Sequence, residues 1–122
     1  MQNKQAVLLI EKIQKEILQN KFQVLSIVED LKNVRQLTME ENNPVLTKSL
    51  RLVYEHLEKN NAFLIEIPKD DFSEDDTESN YKTYSEEHNL ESFNYFLSLL
   101  PHFAKKNNLL DLKEYNKALL AF

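Results

Sequence analysis

The residues able to hold a metal ion or move a proton are few in this chain, and their spacing is poor for either task. Histidine occurs three times, as His56, His88 and His102. A carboxylate-bridged di-metal centre in a helical bundle needs Glu-x-x-His on two helices, but the residues three before these histidines are Val53, Ser85 and Leu99. No His-Glu-x-x-His is present either. His88 and Glu91 stand one helical turn apart and read as a surface contact. Tyr54, Glu55 and His56 form a titratable run, but adjacent helical residues diverge by about 100°, so this run reads as helix surface with Tyr54 partly packed. Cysteine is absent, which removes thiolate nucleophiles, thiolate metal ligands and disulfides. The serines show no nucleophile, base and orienter set. No catalytic, cofactor-binding or metal-binding residue is assigned, and the expectation is a protein that is not an enzyme.

Carboxylates are concentrated in one place. Residues 66–91 hold ten Asp/Glu against two Lys, a net −8, whereas residues 1–65 sum to +1 and residues 92–122 to +2. The stretch Lys69 to Asn80 (KDDFSEDDTESN) cannot bury enough apolar surface to offset its ordering entropy, so it is expected to be a mobile acidic loop. An EF-hand register starting at Asp75 places Thr77, Ser79, Asn80, Tyr81 and finally Glu86. Glu86 suits the twelfth position, but Thr and Ser are weak ligands where Asp is needed, and a solvated loop is the better reading. If the segment recognises anything, the expected partner is a basic protein met by Asp70, Asp71, Glu74, Asp75 and Asp76, with Tyr95 as an exposed aromatic contact. A nucleic acid is not expected, because no basic stripe exists to neutralise phosphates.

The elements that must carry these groups read as helices. The chain of 122 residues contains no glycine, so most phosphate-cradling loops and strained nucleophile turns are excluded. Ile10, Ile13, Ile17, Asn20, Val24, Ile27, Leu31 and Val34 follow a 3-4 stagger that predicts one long helix from about Gln2 to Leu37, broadened by Val7, Leu8, Leu18, Phe22, Leu25 and Val28. Only Asn20 interrupts the stagger, and a break at Asn20-Lys21 is the alternative. A continuous helix would span about 54 Å, longer than either later helix, so its far half would pack either on other elements of the same chain or on a second copy, and the second case predicts a dimer. The expected homodimer seam is Asn20, Val24, Ile27, Leu31 and Val34.

Asn43-Pro44 opens a second helix, buried through Leu46, Leu50, Val53 and Leu57, and Asn60-Asn61 can close it. Ala62 to Ile67, bounded by Pro68, reads as an apolar extended segment laid across the helices, with a short β-pair to Tyr81–Tyr84 as the alternative. A third helix begins near Ser85 or Asn89 with Leu90, Phe93, Phe96, Leu97 and Leu100 inward, and Pro101 kinks or restarts it. Asp111 and Glu114 form a capping box for a last helix from Leu112 to Ala121, with Leu112, Tyr115, Leu119 and Phe122 inward.

The fold class expected is all-α: a single domain over residues 1–122, a bundle of about four helices with a long N-terminal helix and one acidic loop at about 69–80. No run is long and apolar enough to span a membrane, and no signal-peptide pattern is found, so a cytoplasmic protein is expected. The functional expectation is a non-enzymatic α-helical protein–protein interaction module that self-associates and takes no cofactor. The alternative is an inhibitor of the immunity type that presents the acidic segment to a basic protein.

Overall fold

The computed structural model describes residues 1–19, 21–68 and 86–122, with side chains from residue 89 onward in the last span. The described residues form five α-helices: α1 (Lys4–Leu18), α2 (Val24–Leu37), α3 (Pro44–Asn60), α4 (Glu86–Leu99) and α5 (Lys106–Ala121). Short 3-10 turns at Met39–Glu41 and Leu100–His102 follow α2 and α4. Among the described residues there is no strand. Asn20 and residues 69–85, which include Asp70, Asp71, Glu74, Asp75, Asp76 and the Tyr81–Tyr84 stretch, lie outside the described residues.

The expected single N-terminal helix is two helices. Asn3 starts α1 by accepting the Ala6 N–H at 2.9 Å, which satisfies a donor that the first turn leaves free. The helix ends at Leu18, where Lys21 N–H reaches back to the Glu16 carbonyl at 2.8 Å, the six-to-one closure that terminates helices. The chain then turns and α2 packs back along α1. Lys12 on α1 lies 2.8 Å from the buried Asp30 carboxylate on α2. The 3-4 stagger survives this reversal because each half keeps its own stripe. Ala6, Ile10, Ile13 and Ile17 meet Ile27, Val28, Leu31 and Val34 inside one chain. The turn also removes the length mismatch. All five helices run 14 to 17 residues, or about 21–26 Å.

The remaining boundaries follow local chemistry. Asn43 caps α3 by accepting the Leu46 N–H at 3.0 Å, and Pro44 occupies the first turn. Asn61 ends α3 in the left-handed region at φ 57°, where Asn is the best residue after glycine. Pro101 stops α4 at Leu99. The last helix departs from its expected start: α5 opens at Lys106, so Asp111 lies inside it and caps nothing. Asp111 instead accepts the Tyr95 hydroxyl from α4. Phe122, expected inward, is exposed, as are Leu8, Leu18 and Leu25, which the sequence placed on the apolar stripe.

Packing closes the helices into a ring in the order α1, α2, α3, α5, α4 and back to α1. Ser49 to Asn116 and His56 to Phe122 show that α3 and α5 run parallel, whereas Ser92 to Tyr115 and Tyr95 to Asp111 make α4 and α5 antiparallel. The extended segment after α3, expected to lie across the helices, enters the ring instead. Phe63 is 1% exposed and stacks on Phe93 at 5.0 Å, beside Phe96 and Tyr115, and Ile65 is buried with it.

Candidate functional site

The buried polar groups show which chemistry is already committed to structure. His56, read from the sequence as helix surface, is 6% exposed. Its Nε2 accepts the Leu64 N–H at 3.0 Å, and Asn60 Nδ2 donates to the His56 carbonyl at 3.0 Å. The ring packs edge-on against Phe63 and Phe122. An N–H donor aimed at Nε2 requires a lone pair there, so the imidazole is neutral and pins the start of the extended segment to α3. Burial holds the His56 pKa below its usual 6.5.

The folded chain therefore binds fewer protons than the unfolded chain once pH drops below about 6.5, and stability falls as pH falls through that value. The expected result is a denaturation midpoint that is flat from pH 8 to 7 and declines below 6.5. The contribution from this one group has a limiting slope of about 1.4 kcal/mol per pH unit. Comparing urea midpoints at pH 7.5 and 5.0 for the wild type and His56→Gln checks it. The wild type should lose more stability on acidification than the variant, and equal losses would remove His56 as the cause.

Tyr115 is fully buried, donates to the Ser92 carbonyl at 3.0 Å and receives the Ser92 hydroxyl at 3.0 Å. Burial pushes its phenol pKa up, so it stays a neutral structural group. Ser49 Oγ donates to Asn116 Oδ1 at 2.6 Å, both buried, and fastens α3 to α5.

That fastening forms one wall of an open groove of about 330 Å³ between the two helices. Pro44, Val45 and Lys48 line it from α3, and Lys113, Asn116, Lys117 and Leu120 from α5. The α3 residues stand at i, i+1 and i+4, and the α5 residues at i, i+3, i+4 and i+7, so each set shares a helix face. Its apolar surface comes from Pro44, Val45 and Leu120, the buried Asn116 is its deepest lining residue, and three lysines also line it. Lys117 has Glu114 at 3.8 Å on the surface. Lys48 and Lys113 have no carboxylate partner among the described residues. Leu120 is 61% exposed, and Leu110, on the same side of α5, is also exposed. At the α3 end, Asn43 has taken the Leu46 N–H and proline offers none, which leaves the Val45 N–H without an intrahelical acceptor. A second groove of about 320 Å³, lined by Gln5, Leu9, Asn33, Gln36 and Leu37, carries no charged side chain.

The residues singled out from sequence are not brought together. Asp70, Asp71, Glu74, Asp75 and Asp76 lie outside the described residues, as does Asn20. Tyr95, expected to be exposed, is half-buried with its hydroxyl on Asp111. Ile27, Leu31 and Val34 are fully buried and Val24 is half-buried, all in the core of their own chain. The seam expected to meet a second copy is occupied by α1 and α3. His102 is exposed, and the His88 side chain lies outside the described residues. Among the described residues, no group of three or more His, Asp and Glu is placed to hold a metal ion, and no helix is long and apolar enough to cross a membrane.

Sequence reasoning passed over the groove. Lys113, Lys117 and Leu120 were legible as one stripe of the last helix, but Lys48 lies 65 residues earlier, and its approach follows from helix order alone. Compared with protein-family models, with curated proteins and with solved structures, the chain matches none.

Proposed function

We propose that this chain is a non-enzymatic α-helical protein–protein interaction module whose contact surface is the groove between α3 and α5. The observation that carries the reading is an open groove lined by the apolar Pro44, Val45 and Leu120 together with Lys48, Lys113 and Lys117. Apolar side chains left in water beside charges without partners gain free energy when a complementary surface covers both. The partner is a different protein. Burial of the expected seam residues Ile27, Leu31 and Val34 in the core of their own chain supports this choice over a second copy. A cytoplasmic setting belongs to the same proposal, supported by the cysteine-free composition.

Affinity capture from the native host, with mass spectrometry of what is retained, tests the reading when wild type is run beside Val45→Glu/Leu120→Glu. Val45 is half-buried and Leu120 exposed, so the variant should keep its circular dichroism and lose the captured protein. Retention of the same partner by a folded variant would sink the groove as the contact surface.

A second reading is supported by the net −8 of residues 66–91: an inhibitor of the immunity type that offers the acidic segment to a basic protein. It requires that changing Asp70, Asp71, Glu74, Asp75 and Asp76 to Asn or Gln slow association at least tenfold and flatten its salt dependence.

A further inference from the structure

The interaction reading leaves the chemistry of the partner open, and the following inference rests on that reading while naming what fills the groove. We infer that the α3–α5 groove docks a linear acidic segment of a partner protein, in which two carboxylates and one large apolar side chain alternate on one face.

Charge complementarity selects the acids. Lys48, Lys113 and Lys117 converge on one groove, and two of the three have no ion pair among the described residues. The free Val45 N–H at the start of α3 adds a further donor for an oxygen acceptor. The chain's net charge of −5 does not oppose this, because at physiological salt charges beyond about 8 Å are largely screened.

Spacing selects the pattern. Lys113 and Lys117 are one turn apart, about 6 Å along α5, and Leu120 follows about 4.5 Å further on. An extended peptide repeats its side chains on one face every 6–7 Å. Residues i and i+2 then meet the two lysines, and residue i+4 reaches the apolar end at Leu120. The fitting sequence is acid-x-acid-x-apolar, read in either direction. Lys48 faces the same acids from α3, while Pro44 and Val45 lie at the opposite, Lys113 end of the groove. A basic segment would bring like charges together, and a purely apolar one would cover the lysines without pairing them.

The test uses the full chain, labelled with nitrogen-15, and the end-blocked probe Ser-Asp-Ser-Glu-Ser-Phe-Ser. The expected result is saturable shifts confined to Val45, Lys48, Lys113, Asn116, Lys117 and Leu120. Binding should weaken at least tenfold in Lys48→Gln/Lys113→Gln/Lys117→Gln, whose exposed side chains can be changed without disturbing the core. It should also weaken at least tenfold when Lys replaces the probe's two acids, and severalfold when Ala replaces its Phe. Shifts elsewhere, or binding indifferent to the three lysines, overturn the inference.

The same variants separate it from the broader reading. If partner capture fails with Val45→Glu/Leu120→Glu but survives the triple Gln variant, the module stands and the acidic occupant falls. If the probe binds as expected and capture is indifferent to both variants, the groove takes acidic segments but is not the module's contact surface. The chain's own Phe72, Glu74 and Asp76 carry the reversed spacing. Probe binding at least tenfold tighter in Glu74→Gln/Asp76→Asn would make that segment the occupant and overturn assignment to a partner.

Discussion

Ile27→Glu/Leu31→Glu is expected to lose its fold, with no folded monomer as an intermediate outcome. Both side chains are fully buried between α1, α2 and α3. Each substitution forfeits about 1.5–3 kcal/mol of apolar burial and places a carboxylate where no cation waits, at several kcal/mol more. Together these costs match or exceed the roughly 5–15 kcal/mol that stabilises a domain of this size. Circular dichroism should show the helical signal collapsing and no cooperative thermal transition. A variant that stays helical and merely changes its sedimentation coefficient would put this stripe on an intermolecular seam and restore the dimer. The experiment therefore separates two ways of covering the same apolar residues.

Phe63→Ala is expected to cost about 3–5 kcal/mol, the range for truncating a buried aromatic residue, although Phe63 belongs to no helix. Its ring stacks on Phe93 at 5.0 Å and lies 5.8 Å from His56, 6.3 Å from Phe96 and 6.1 Å from Tyr115. Removing it empties the centre of the ring of helices and frees the segment that His56 holds through Leu64 N–H. Urea denaturation by linear extrapolation reads the loss, and Phe63→Leu should recover most of it by refilling the volume. A cost below about 1 kcal/mol for the alanine variant would mean that the extended segment is only draped over the bundle.

These expectations divide the molecule into what local sequence dictates and what only packing decides. Helicity was legible throughout, because the 3-4 stagger, the Asn43-Pro44 start, the Asn61 stop and the Pro101 break are properties of a few neighbouring residues. The apolar alternation of Phe63 and Ile65 likewise marked an extended apolar segment, though not its entry into the ring of helices. Continuity from Gln2 to Leu37 was misread because a helix and a helical hairpin carry the same stagger. A hairpin of α1 and α2 keeps both apolar faces inward, and only the packing of Ile13 and Ile17 beside Ile27 and Leu31 distinguishes them. Asp111 was misread as a cap for a related reason. Its carboxylate suits a free N–H or a phenol equally well, and Tyr95 on a neighbouring helix is the acceptor's actual donor.

His56 and the lysine groove were illegible on stronger grounds. A histidine's burial depends on what covers it, here Phe63 and Phe122 from two other segments. Lys48 joins Lys113 and Lys117 only because α3 and α5 become neighbours in the ring and run parallel. Residue order along the chain determines the period of each apolar face and where each helix starts and stops. Which faces meet is set by the free energy of closing five matched helices around one aromatic centre, and that sum runs over residues too far apart in sequence for any local pattern to report.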